Sequence, residues 1–512
     1  MGANSSDRNR MDHLRRRKLQ TGLWLTCVGM CVVAVVACRR DSPAGSASTA
    51  LRIGFGLGPS ARATGLNVLA ELLYAEPLIS LDAHGQPVAR LAERWEWQDD
   101  HRTLRVDLRI GTKLHDGRTL NAELARQFLQ HTIDSVQKGD HSGAFDGIES
   151  IDTPDDHTML LHLRRPDAFL LSEFNNSFLV DPLSPDTGTG PYRLLSRDPV
   201  RAARFEDHHR GAPVIDQVEI QTYDSQRAAW AALMRDEVDA VQEVNRDSAE
   251  FLEGSNVKTF ASLRPYYWAL SFNLAHPDLR PPEIRRALTS AVDRDQIVAK
   301  VLRGYATPAS DPVWPLFWAY GASPARPAYD PVSARAQIRQ ALAHSRSARP
   351  LKIRCLFYRE DARVERMALL LQRQLSEVGV TLELEPATLR EMLVRMRNGD
   401  FEAVLLQYAS GRALDWTYRF WHSPMAGQQP LQSSRYTAAD KVLDDLRVAF
   451  TEREVRDGVI KLRDVFREDP PAIFIAWQQV TRAVSSRFDI SDADQQDVFA
   501  NIWQWKPATK QE

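Results

Sequence analysis

Between Leu51 and Ala476 short β-type runs keep changing places with amphipathic helical stretches. Alternation of period two suits a half-buried strand, and apolar residues three or four apart suit a helix lying on one face. Interleaving the two predicts strands covered by helices, an α/β fold. Strands are expected at 51–55, 104–110, 158–163 and 214–223, and helices at 66–80 and 226–234. A strong helix is expected over 281–302, with Pro281 and Pro282 at its start and Gly304 behind it. After a Pro-rich stretch, 306–331, the pattern resumes: helix 332–344, strand 351–357, helix 360–379, strand 380–386, helix 388–398 and strand 401–407. Residues 438–468 read as helix and 473–476 as strand. The two blocks meet near 250–265, which predicts two lobes with a cleft, a favoured place for ligands. The 512 residues suit roughly two to four folding units.

The N-terminus carries a different kind of signal. Arg15, Arg16, Arg17 and Lys18 precede an uncharged stretch, Leu19 to Ala37, with an apolar heart from Val28 to Ala37. That is the cationic and apolar pair of a secretory signal, predicted to occupy 1–37. It ends in Val35-Val36-Ala37-Cys38, similar to the lipobox in which small residues precede the cysteine that receives lipid. Residues 38–50, rich in Ser, Gly and Ala, read as a flexible tether. The competing reading is an uncleaved anchor, because the apolar stretch approaches the roughly 20 residues a spanning helix needs. Both place everything after Ala50 outside the cytoplasm, lipid-anchored through Cys38 in the first.

Charge and cysteine usage exclude several classes. Residues 1–37 hold six Lys/Arg and two Asp, leaving 59 Lys/Arg against 65 Asp/Glu, a formal −6. No nucleic-acid partner is expected, since phosphates select a basic face. Cys355 is the one cysteine after Cys38, so no internal disulfide and no cysteine metal cluster is expected beyond the anchor. Cys355 reads as a buried strand residue. His208-His209 is the one adjacent histidine pair, and neighbours on a strand point to opposite faces, so no metal or other cofactor is expected. No Gly-x-Ser-x-Gly elbow and no His-Glu-x-x-His is present, which leaves an extracytoplasmic hydrolase without its machinery.

Six segments then occur in a recognisable order. They are Leu73–Leu78 (LYAEPL) with Leu91–Trp97 (LAERWEW), Leu108–Glu123 (LRIGTKLHDGRTLNAE), Gly188–Leu194 (GTGPYRL), Ala232–Asp239 (ALMRDEVD), Leu270–Asn273 (LSFN) and Ile284–Arg294 (IRRALTSAVDR). From Leu51 almost to the end the chain resembles the extracytoplasmic solute-binding proteins of the peptide/nickel family, family 5. Each segment also has a plain structural reading. His115-Asp116-Gly117 suits a turn after a strand, and Gly188–Pro191 lacks the Gly-Lys-Ser/Thr that cradles phosphate. Asp293-Arg294 suits a helix-end cap or ion pair.

The resemblance implies a two-lobe periplasmic-binding-protein-like fold (type II, cluster C) with an extra subdomain in lobe I. Lobe I is expected over 51–262 with the subdomain at about 75–185, lobe II over 263–479, and a C-terminal segment, 480–512, returning to lobe I. It implies a monomer that closes on a small molecule or short peptide and delivers it to an ABC permease with a cytoplasmic ATPase. It also implies that no covalent chemistry takes place. A ligand-sensing or assembly protein on the same fold, without transport, is the alternative.

In peptide-binding members an Asp in a loop after a lobe II strand pairs with the ligand's amino group. The matching stretch is Phe401–Trp421 (FEAVLLQYASGRALDWTYRFW), where the strand agrees and the Pro-containing loop does not. Asp415 is a candidate ammonium partner, Arg412 a candidate partner for a carboxylate or phosphate, and a purely structural loop remains open. Aromatic residues add candidate pocket walls: Tyr408 and Trp416 in this stretch, Trp314 and Trp318 in a ring-dense loop, and Tyr267 on the first lobe II strand. Packing in the core is the competing reading for each.

Overall fold

Alternating burial along the strands follows the expected two-residue period: Thr103–Leu108 and Thr158–Leu163 each bury every second side chain on one face. The computed structural model describes residues 49–57, 64–98, 100–138, 145–244, 255–321, 327–344, 350–424, 430–490 and 497–509. The expected signal, Cys38 and nearly all of the tether lie outside the described residues. Thr49–Glu512 is one compact unit. No helix among the described residues is long and apolar enough to cross a membrane.

Among the described residues the main sheet has eleven strands. One half runs Tyr192–Arg197, Val200–Arg204, Gln217–Tyr223, Ala50–Gly56 and Ala240–Val241, with Ala50–Gly56 parallel to both neighbours. The other half holds Ala403–Ala409, Lys352–Tyr358 and Thr381–Ala387, again with parallel pairs. Two long antiparallel strands, Val257–Phe272 and Ala472–Ser485, run through both halves. Their register breaks between Leu263 and Tyr267. Pro265 lies inside that break, where its missing N–H costs no ladder bond. A separate four-stranded antiparallel sheet, Ala92–Trp97, Thr103–Leu108, Thr158–Leu163 and Ile148–Asp152, has its own apolar core with the helix Ala122–Lys138.

Several expected elements end elsewhere, for local reasons. The helix expected over 66–80 is Thr64–Tyr74, because Glu76–Pro77 enters a strand against Phe178–Leu179. Gly190 presses on that helix end: its N–H donates to the Tyr74 carbonyl at 3.0 Å, and a Cβ there would lie 2.5 Å from Tyr74 C. The helix expected over 281–302 is two, Pro282–Ser290 and Arg294–Lys300. Asp293 accepts from the Gln296 N–H and caps the second, while buried Arg294 donates to the carbonyls of Phe474, Thr289 and Val292. The stretch 438–468 likewise splits where Thr451 and Glu454 form a capping box. His115 reaches beyond its own turn, its Nε2 lying 2.9 Å from the Gly190 carbonyl. Cys355 is buried in the strand Lys352–Tyr358, and burial pushes its thiol up to about 12. His208 and His209 lie in a turn after Val200–Arg204 rather than on a strand, so the opposite-faces argument does not hold for them.

Candidate functional site

The strand Ala403–Ala409 is held by antiparallel pairing to Tyr266–Phe272. Its exit is fixed twice: the Ser410 N–H donates to the Pro265 carbonyl at 2.8 Å and its hydroxyl to the Pro312 carbonyl at 2.9 Å. Gly411 then turns with φ +65°, and a short helix, Asp415–Trp421, begins.

A hairpin formed by Ile79–Leu81 and Pro87–Ala89 faces this segment. Asp82 Oδ1 accepts from the N–H groups of His84 and Gln86 at 2.8 and 2.9 Å, which shapes the hairpin turn before anything docks on it. Arg412 Nη1 donates to the Leu81 carbonyl at 3.1 Å. Gly85, at φ +78°, lies so close to the Arg412 backbone that a Cβ would meet the Arg412 carbonyl oxygen at 2.0 Å. Trp314 Nε1 donates to the Ala83 carbonyl at 2.8 Å, and the Trp318 N–H to the His84 carbonyl at 2.9 Å.

A charged cluster joins the short helix to Leu170–Glu173. Arg419 pairs with Glu173, and Asp415 lies within the field of both. Burial pushes the Asp415 carboxyl up, against the pull of the Arg419 guanidinium and the Ser172 hydroxyl. Burial also pushes Glu173 up, opposed by Arg419 and reinforced by Asp415. With one guanidinium between two buried carboxyls, ionising both leaves a net buried charge, so one proton is favoured there. A second buried pair, Arg447 Nε to Asp167 Oδ2 at 2.9 Å, lies close by, with Arg447 over the Tyr418 ring.

The sequence-predicted residues therefore occupy different surroundings. Tyr267 and Tyr408 are fully buried, with rings stacked 5.7 Å apart. The Tyr267 hydroxyl accepts from Trp421 Nε1, and the Tyr408 hydroxyl donates to Gln432 Oε1. Trp314 is buried edge-on to Trp477. Trp416 is half-buried between the Phe420 ring and the Arg419 guanidinium. Trp318 helps line a cavity of about 290 Å³ with Trp97, Phe169, Phe317, Leu414 and Phe450. Arg412 is half-buried, and among the described residues it makes one hydrogen bond and no ion pair. Burial lowers its pKa, while Asp497 and Asp82 oppose that shift. Asp497 is itself held by Arg482, Nε to Oδ1 at 2.9 Å.

Glu173, Arg419, Asp167 and Arg447 escape sequence reasoning because each pair is more than 240 residues apart in the chain. Nothing local in the sequence links positions so far apart. The capping Asp82 turn was accessible in principle, as Asp two residues before a turn residue is a local signal.

Comparison with known proteins adds independent information. A family model described as bacterial extracellular solute-binding proteins, family 5 middle, matches residues 86–427. The dipeptide-binding protein of Escherichia coli K12 is 24% identical over 436 residues, covering 77% of this chain and 81% of that protein. The glutathione-binding protein GsiB of Pectobacterium atrosepticum is 24% identical over 444 residues, covering 81% and 85%. The oligopeptide-binding protein AppA from Bacillus subtilis, solved with a nonapeptide, superposes with a TM-score of 0.73 at 18% identity, covering 90% of this chain and 100% of AppA.

Proposed function

Because the chain belongs to the bacterial extracellular solute-binding proteins of family 5, we propose that it captures a short peptide or similar small solute by lobe closure and delivers it to an ABC permease. Members of this family are extracytoplasmic binding proteins that work with ABC importers and are not enzymes. The relatives named for dipeptide and glutathione binding, and the oligopeptide-binding AppA solved with a nonapeptide, support a peptide-like solute.

The observation that carries the site assignment is the contrast between Arg412 and Asp415. Asp415 has its charge answered by Arg419 within the protein. Arg412 has a planar fork of donors of which one is used by a backbone carbonyl. A guanidinium in that state suits a bidentate carboxylate. In our reading Arg412 receives an anionic group of the ligand, Trp416 and Trp318 wall the path, and Tyr267, Tyr408 and Trp314 act as packed support. Lobe II, 263–479, then closes on lobe I, 51–262 with 480–512, and on the inserted segment 75–185. The contacts of Arg412 with Leu81, Trp314 with Ala83 and Arg419 with Glu173 support this, since each joins a residue of 75–185 to one of 263–479. A ligand touching both sides stabilises the closed form. Lipid on Cys38 would hold the protein at the membrane.

Thermal unfolding against a panel of di- to pentapeptides, amino acids, sugars and opines tests the reading. At 100 times its dissociation constant a specific ligand adds about 2.7 kcal/mol of stability. A shift produced by a carboxylate-bearing peptide supports capture. A panel without effect favours a sensing or assembly protein on this fold.

A further inference from the structure

Glu76, His208 and His209 converge away from the segment described above, and nothing in solute capture uses them. Their side chains are 8%, 1% and 4% exposed. Glu76 opens the short strand Glu76–Pro77, where the chain passes from the helix Thr64–Tyr74 into the hairpin beyond. The histidines come from a turn more than 130 residues later. His209 Nε2 lies 2.8 Å from Glu76 Oε2, and His208 Nε2 lies 3.6 Å from Glu76 Oε1. All three donor atoms fall within 4.8 Å of one another.

The orientation of His208 is the telling detail. Its Nδ1 lies 3.2 Å from the Gly211 carbonyl, which only accepts, so this network assigns the proton to Nδ1. The neutral ring then presents a lone pair at Nε2, and that buried atom has no hydrogen-bond partner. A carbonyl that accepts from one ring nitrogen and so leaves the other with its lone pair open is the usual support for a metal-ligating imidazole. Tetrahedral ligand atoms about 2.0–2.1 Å from zinc lie roughly 3.3 Å apart, between the two observed contacts. Two imidazoles and a carboxylate are the borderline donors that suit Zn²⁺, whereas Ca²⁺ and Mg²⁺ ask for oxygen.

We propose that Glu76, His208 and His209 form a three-ligand site for a Zn²⁺-class divalent ion. Bound there, the ion ties the point where the chain leaves the first helix to the turn 206–211. Trp503 packs 5.9 Å from the His208 ring and Arg210 lies over Trp503, so the C-terminal segment covers the same place. Arg90 and Arg210 lie within the field of Glu76 and oppose a dication.

The test strips the purified protein with a chelator and titrates it with Zn²⁺ against a chromogenic competitor. The chain carries 13 histidines, so stoichiometry is compared with a His208→Gln/His209→Gln variant. One equivalent bound by the wild type, absent from that variant and retained by Arg412→Gln, is the expected result, with a zinc-dependent rise in the unfolding midpoint of the wild type alone. Equal zinc binding by wild type and double variant would overturn the proposal. If the variant fails to fold, Co²⁺ added to the wild type decides. An intense visible ligand-field band of low coordination is expected, and a pale octahedral spectrum contradicts the site.

Discussion

Replacing Arg419 by Met removes the cation that lies between Glu173 and Asp415. The Arg419 and Glu173 side chains are 10% and 13% exposed, so this pair follows the rule for buried ion pairs rather than the rule for surface ones. Losing one partner of a buried pair costs about 3–5 kcal/mol, because the remaining charge has no compensation. The compact unit spans residues 49–512. At about 2.1 cal/mol/K per residue its unfolding entropy is about 1 kcal/mol/K, so the midpoint falls by about 3–5 °C. The wild type adds a pH signature of defined sign. Burial raises Glu173 in the folded chain, so between the unfolded carboxylate range and the higher folded value the folded chain holds a proton that the unfolded chain has released. Its contribution to stability is therefore full below the unfolded carboxylate range and is lost as pH rises through that window, with a slope of at most about 1.4 kcal/mol per pH unit. Glu173→Gln removes this contribution, and adding it to Arg419→Met recovers part of the lost midpoint. Differential scanning calorimetry between pH 4 and 8 reads all of this. An Arg419→Met midpoint equal to wild type at pH 7, or a Glu173 contribution that grows with pH, would mean that Arg419 does not hold these carboxyls.

Two further outcomes follow from single contacts. Gly85→Ala places a methyl 2.0 Å from the Arg412 carbonyl at a positive φ, so the hairpin must back away; solute affinity should drop while the far-UV circular dichroism stays native, and an unchanged affinity would show that the hairpin does not frame the site. Cys38→Ala should abolish incorporation of labelled fatty acid and release the protein from the membrane fraction, whereas retained labelling would place the lipid elsewhere or replace it with a spanning anchor.

Much of the fold is legible because it rests on local periodicity. Gln226–Met234 and Thr158–Leu163 fall where the pattern puts them, since each turns one face inward: Ala229, Ala232 and Leu233 in the helix, alternate residues in the strand. The ordered segments from Leu73 to Arg294 are likewise legible, and the family match over 86–427 agrees with what they resemble. The helix expected over 281–302 breaks because Asp293 offers its side chain to the backbone, a choice that competes with an unbroken helix. The histidine pair was misplaced because period-two reasoning presumes a strand, while Glu206 to Arg210 is turn. Around 408–421 the residue types were visible but their partners were not. Whether Asp415 faces a ligand or an arginine depends on Glu173 and Arg419, brought together only by the tertiary fold. Aromatic richness had the same ambiguity: Trp318 lines a cavity, whereas Tyr267 and Tyr408 stack on each other in the core.

A two-by-two affinity cycle shows whether a solute's anionic group meets Arg412. Calorimetry would compare wild type and Arg412→Gln, each with the best peptide from the panel and with its C-terminal amide. Truncating one partner of a buried charge pair costs about 2–5 kcal/mol. Arg412→Gln and amidation should each weaken binding by about thirtyfold or more, and combining them should add little, because both remove the same contact. Losses that simply add, or an amide that binds as well as the free acid, would contradict it.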